Sequence, residues 1–113
     1  MQTRLPLSSS TSCCGLGVTS LSEAEAARIA PLFKALGDPV RLRLAAMIAA
    51  RDEVCVCDLT PEFSLSGPTI SHHLKVLREA GLITGNRRGT WVYYQVEPQA
   101  LLALGALLQA PPN

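Results

Sequence analysis

The chain has 113 residues, a net charge of +1, 48% hydrophobic residues and only 4% aromatic ones. That length is room for one domain. The near-neutral balance excludes a uniformly basic nucleic-acid binder, and no stretch approaches the roughly 18 apolar residues of a membrane span. With so few large side chains, a chain of this size buries limited area, so cover from a partner subunit is expected.

Residues 1–20 read as a flexible arm, rich in Ser and Thr, with Gly15 and Gly17 and no period. Its one distinctive feature is the adjacent pair Cys13-Cys14. Arg4 is followed by P-L-S-S-S-T-S, not by an apolar h-region, so no secretory signal is read and a cytoplasmic protein is expected. There, four cysteines point to metal binding, redox sensing or plain reduced thiols before structural disulfides.

Residues 21–110 form the expected folded domain. Ser22 with Glu25 is a capping box, and Leu21 before it is a staple residue, so a helix is predicted from Ser22. Ala26, Ile29, Ala30, Phe33 and Leu36 recur at helical spacing, Pro31 is expected to bend or split the helix, and Gly37 ends it. Asp38-Pro39 restarts the chain as an N-cap followed by proline at the first helical position. Leu42, Ala45, Ala46 and Ala49 are the predicted apolar face, with Arg41, Arg43 and Arg51 outside it.

The stretch E-V-C-V-C-D-L (53–59) comes next, then T-P-E-F-S; a short helix is predicted over about 56–62. Residues 64–67 are a turn. Ser66 caps a further helix over about 68–80, closed by Gly81, with Ile70, Leu74 and Leu77 as its buried stripe. Leu82-Ile83-Thr84 and residues 91–96 flank N-R-R-G-T and read as a β-hairpin. A last helix from about Pro98 to Gln109 carries Leu101, Leu102, Leu104, Leu107 and Leu108 and no charge after Glu97. Apolar nearly all round, it needs cover on more than one side, which a subunit interface supplies. The fold class is therefore mostly α with a β-hairpin wing, a winged helix-turn-helix in a dimer.

Helix, turn, helix and ribbon in this order suit double-stranded DNA, with the second helix in the major groove and the ribbon along the backbone. The window 66–96 holds four bases, Lys75, Arg78, Arg87 and Arg88, against Glu79 alone, a net +3, which leaves −2 for the rest. Ser66, Thr69 and Ser71 offer hydroxyls at the helix start to phosphate. His72 and Lys75 are placed for base edges or phosphates, and Arg87 and Arg88 for phosphates or a narrow minor groove. The plainer reading is an α+β domain with a polar helix face and a charged hairpin tip, since short helix-turn-helix patterns arise by chance.

Several thiolates together favour soft ions such as Cd(II), Pb(II), Zn(II), Cu(I) or trivalent arsenic. Cys55 and Cys57 lie at the start of a short helix, where backbone N–H groups stabilise a thiolate, opposed by Glu53 and Asp58. Taken alone, a C-x-C flanked by valines reads first as a pair of buried reduced cysteines. The Cys13-Cys14 pair tips the balance, because an exposed Cys-Cys has no packing role; a reversible dithiol sensor is the other chemistry open to these thiols. His72 and His73 point about 100° apart on a helix, so they do not chelate one ion together. They are read as one surface and one structural histidine. There is no Gly-rich phosphate loop followed by Lys, no H-E-x-x-H and no G-x-S-x-G, so an enzyme is not expected.

With these residues in view the chain resembles the ArsR/SmtB family of arsenic- and metal-responsive winged-helix repressors, over about residues 22–108. F-K-A-L-G-D-P-V-R-L-R-L (33–44) resembles its first helix junction and E-V-C-V-C-D-L (53–59) its metal-box segment. S-G-P-T-I-S-H-H-L-K-V-L-R-E-A-G-L-I (66–83) resembles its recognition helix and R-R-G-T-W-V-Y-Y-Q-V (87–96) its wing. The resemblance implies a homodimer through the first and last helices, repression of an operator, and release when a metal or metalloid binds. It also implies a thiolate ligand at Cys55, often joined by Cys57.

Two departures narrow this. Some members sense zinc on the last helix, but residues 98–113 contain no His, Asp or Glu. Some arsenic sensors carry a third cysteine just after C-V-C, but T-P-E-F-S has none. The expectation is therefore a sensor of As(III) or Sb(III) bound by Cys13, Cys14 and Cys55, with Cys57 the less certain ligand and expected to point into the core. The alternative is a Cd(II)/Pb(II) sensor using all four thiols.

Overall fold

The computed structural model describes residues 21–109. The arm with Cys13 and Cys14 lies outside the described residues. In chain order the elements are α1 (Glu23–Leu36), α2 (Pro39–Ala49), β1 (Val54–Cys55), α3 (Val56–Leu59), a 3-10 turn (Thr60–Glu62), α4 (Gly67–Glu79), β2 (Ile83–Arg88), β3 (Trp91–Val96) and α5 (Pro98–Leu108).

The helix boundaries follow side-chain chemistry. Ser22 Oγ accepts from the Glu25 N–H, and Glu25 returns a carboxylate oxygen to the Ser22 N–H, each at 3.0 Å. The Asp38 carboxylate accepts from the N–H groups of Val40 and Arg41 and so starts α2. Ser66 caps α4 by accepting from the Thr69 N–H. At the far end of α4 the Leu82 N–H bonds Leu77 O and the Gly81 N–H bonds Arg78 O. These two bonds close the helix in a motif that needs a left-handed residue, which Gly81 supplies with φ 92°. Helix α1 runs through Pro31 without a break, held by the burial of Ile29, Leu32 and Ala35 on one stripe.

The core joins that stripe to Leu44 and Ile48 of α2, Ile70, Leu74 and Leu77 of α4, Val54, Leu59, Leu82, Ile83 and Tyr94, and Ala100 and Leu104 of α5. The α4 stripe is the predicted one. The α1 and α2 faces match only in part, with Ile29 buried and Leu36 and Ala45 packed against the core as predicted. Phe33 is exposed, and in α2 Leu44 and Ile48 are buried while Leu42, Ala46 and Ala49 are exposed. In a helix with apolar residues on several sides, only the packing partner decides which stripe turns inward, and α2 has α4 and the sheet beneath it.

The sheet has three antiparallel strands in the order β1-β3-β2. The edge strand β1, just before the predicted short helix, was not expected as an element: Val54 pairs with Tyr94 and Cys55 with Tyr93. The hairpin also extends further than expected. Arg87 and Arg88 belong to β2, opposite Val92 and Trp91, and the turn is only Gly89-Thr90. Gly89 has φ 65°, the conformation a two-residue hairpin turn demands. Gly85 lies opposite Tyr94, and a Cβ there would stand 3.1 Å from the tyrosine ring.

Candidate nucleic-acid interface and thiol pair

Helix α4 divides cleanly. Ile70, Leu74 and Leu77 are buried, while Ser66, Thr69, Ser71, His72, Lys75 and Arg78 are exposed. The Ser66 and Thr69 hydroxyls are 2.8 Å apart at the helix start. His72 faces solvent, whereas His73 is half-buried with Nδ1 3.3 Å from the Arg41 guanidinium. Arg41 also donates through Nε to Ala35 O at 2.7 Å, so it ties the α1–α2 junction to α4. Hydrogen bonds from the Arg41 and Val40 N–H groups hold the Asp38 carboxyl below its ordinary value against a partial desolvation penalty, with Arg41 and His73 nearby adding to the effect. The docking of α4 on α2 is thus set by packing and by a polar junction at one end.

The wing arginines are not equivalent. Arg87 is exposed with no ion-pair partner among the described residues. Arg88 donates through both terminal nitrogens to the two Glu53 carboxylate oxygens, at 2.8 and 2.5 Å, and its guanidinium lies 4.7 Å from the centre of the Tyr93 ring. Glu53 thus already occupies the Arg88 guanidinium, whereas that of Arg87 is unoccupied among the described residues. Trp91, directly across from Arg88, is 50% exposed. Glu53, Tyr93 and Trp91 are absent from the sequence-based site. Their place there depends on β1 pairing with β3, which a two-residue strand does not announce.

The cysteine pair sits at the hinge between β1 and α3. Cys55 is 5% exposed and caps α3, its sulfur accepting the Cys57 N–H at 3.2 Å. Cys57 is exposed, so the expectation that it points into the core is overturned: the strand pairing of Cys55 buries that residue, and the first turn of α3 swings Cys57 outward. The two sulfurs are in bonding contact as a disulfide, with Cα atoms 5.1 Å apart. Reduced, they are close enough for one soft ion to bridge them. Among the described residues no three His, Cys, Asp or Glu side chains gather as a metal site.

The family described as "Bacterial regulatory protein, arsR family" matches residues 38–84, from the cap of α2 to the start of β2. An arsenical resistance operon repressor of Bacillus subtilis is 42% identical over 72 residues, 64% of this chain and 69% of that protein. The chain belongs to the arsR family. Membership places it among regulatory proteins, not enzymes. An arsenic resistance transcriptional regulator of Pseudomonas putida is 45% identical over 78 residues, covering 69% of this chain. The chain spans 61% of that relative's length. Among solved structures, a possible transcriptional regulator for arsenical resistance aligns with a TM-score of 0.61 at 39% identity, over 68% of this chain and 78% of that one. The winged-helix architecture of this arsR-family chain is thus shared with relatives that resemble it in sequence. No helix among its described residues is long and apolar enough to cross a membrane.

Proposed function

We propose that the chain is a cytoplasmic transcriptional repressor that binds operator DNA as a homodimer and is released when trivalent arsenic or antimony binds its cysteine thiolates. The observation that carries this reading is the position of Cys55. It caps the first helix of a helix-turn-helix whose second helix presents Ser66, Thr69, Ser71, His72 and Lys75 to solvent. A ligand drawn onto that sulfur acts on the element that supports the recognition helix. The ligand set is Cys55 with Cys13 and Cys14, and Cys57 is close enough to replace one of them. Two relatives named for arsenic or arsenical resistance support arsenic over the Cd(II)/Pb(II) alternative.

The dimer reading is supported by unspent apolar surface. Helix α5 packs on α1, yet Phe33 of α1 and Leu101, Leu102 and Leu108 of α5 remain exposed. Side chains of this size left in water on two adjoining helices are what a subunit interface covers.

The test is a competition in which As(III), Sb(III), Cd(II), Pb(II) and Zn(II) are titrated against the reduced protein bound to DNA from its own promoter. Release by As(III) and Sb(III) at the lowest concentrations is expected. Release by Cd(II) or Pb(II) alone selects the four-thiol alternative, and no binding to DNA removes the repressor reading. The bonding contact of the Cys55 and Cys57 sulfurs favours one second reading, a dithiol sensor. There, peroxide takes two electrons and two protons from the thiols, leaving a disulfide and two waters, and DNA is released with no metal present.

A further inference from the structure

Glu53, Cys55, Tyr93 and Arg88 close a ring across the sheet. Glu53 and Cys55 are two residues apart on the edge strand and its approach, so they share a face. Cys55 pairs with Tyr93 on β3, Tyr93 carries the Arg88 guanidinium over its ring, and Arg88 returns both of its terminal nitrogens to Glu53. Each link is direct, and the ring contains both the buried sulfur and the last residue before the wing turn.

The magnitude of the ion pair decides what it is for. The Arg88 and Glu53 side chains are 51% and 25% exposed. Pairs so open to water contribute little to stability. A two-bond carboxylate–guanidinium contact nevertheless fixes relative orientation, because both groups are planar and both bonds must align. Its consequence is geometric: it sets the angle of the wing against β1.

We propose that Glu53 is a positioning residue for the wing, and that its grip on Arg88 carries a change at the Cys55–Cys57 pair to the wing tip. The proposal deepens the thiol-inducer reading and rests on it. A ligand drawn onto the Cys55 sulfur, with or without Cys57, pulls on β1 and the first turn of α3. Glu53, two residues from Cys55, moves with the strand. Arg88 either follows, tilting the wing, or lets go, and in both cases Trp91 opposite it changes surroundings. Thr84, Gly85 and Asn86, at the base of β2, have no comparable tie to β1 among the described contacts.

The chain provides its own reporter, since Trp91 is its single tryptophan. The probe is phenylarsine oxide, which condenses with two thiols to form two As–S bonds and releases one water; every protein in the test, the reference called wild type included, carries Cys13→Ser and Cys14→Ser, so only Cys55 and Cys57 can take it. Binding is followed by the ultraviolet sulfur-to-arsenic band and the wing by Trp91 emission, on reduced full-length wild type, Glu53→Gln and the charge swap Glu53→Arg with Arg88→Glu. Equal arsenical binding in all three is expected, with an emission change in the wild type, its loss in Glu53→Gln and its return in the swap. A Glu53→Gln protein that responds like the wild type overturns the proposal while leaving the inducer reading intact. So does a wild type that shows the band with no change at Trp91. Absence of the band overturns the coupling at its source, the Cys55–Cys57 pair, while leaving the inducer reading through Cys13, Cys14 and Cys55 intact.

Discussion

The Cys55 sulfur accepts the backbone N–H of Cys57 at 3.2 Å, so one thiol of the pair is the helix cap of the other. Serine, threonine, aspartate and asparagine usually fill that role with an oxygen. The arrangement separates two residues of identical chemistry: Cys55 is buried and hydrogen-bonded, Cys57 is exposed. With limiting iodoacetamide on the reduced protein, Cys57 is expected to be alkylated first. Peptide mass spectrometry reads the order, and faster labelling of Cys55 contradicts its burial.

The two wing arginines are expected to act differently on DNA. Each phosphate contact contributes about 0.9 to the slope of log K against log salt. Arg87→Ala is therefore expected to lower the slope by about 0.9 per subunit. Arg88→Ala changes the slope less, since Glu53 already occupies that guanidinium. Fluorescence anisotropy of a labelled duplex across a salt series measures both, and equal losses contradict the assignment of Arg88 to Glu53.

Gly85 is where the wing has no room. A Cβ at this position meets Tyr94 Cε1 at 3.1 Å and Val92 Cγ1 at 3.4 Å, and Tyr94 is part of the core. Gly85→Ala pushes that ring outward, with an expected loss of about 1 kcal/mol or more, as for other overpacked sites. Urea unfolding of the variant beside the wild type checks this.

Asp38 gives a pH dependence with a definite sign. Its folded carboxyl lies below the ordinary value, first because the Arg41 N–H bonds the ionised form. A depressed folded value means that the contribution is complete above the ordinary carboxylate range and is lost as pH falls through the depressed one. Asp38→Asn keeps a capping side chain without the ionisation. Its stability is expected to fall less than that of the wild type between neutral and acid pH. Thermal melts at several pH values compare the two, and parallel curves contradict the prediction.

Local signals carried most of this fold. Ser22, Asp38 and Ser66 each announce a helix start by a side chain that bonds nearby N–H groups, and Gly81 announces an end. The stripe Ile70, Leu74, Leu77 was legible because the rest of α4 is polar. In α2, leucines and alanines occupy several sides, so Leu42 was placed on the inward face and Leu44 was not, the reverse of what tertiary packing selects. The exposed face of α4 was readable for the same reason as its core stripe. The tie between Glu53 and Arg88 was not: it joins residues 35 apart through a strand of two residues, too short to leave a period. Cys55 and Cys57 were legible as a pair but not as a buried and an exposed member, since that difference arises where the strand ends and the helix begins.

The proposed control of DNA binding by thiol chemistry at Cys55 is tested most directly by the affinity of the reduced protein for its promoter DNA with and without saturating arsenite, in the wild type and in Cys55→Ser. Arsenite is expected to weaken the wild type by about 5- to 150-fold, the usual span of such couplings. Cys55→Ser is expected to bind DNA as the wild type does without arsenite and not to respond to it. Wild-type affinity unchanged by arsenite, or a Cys55→Ser protein released as readily as the wild type, contradicts it.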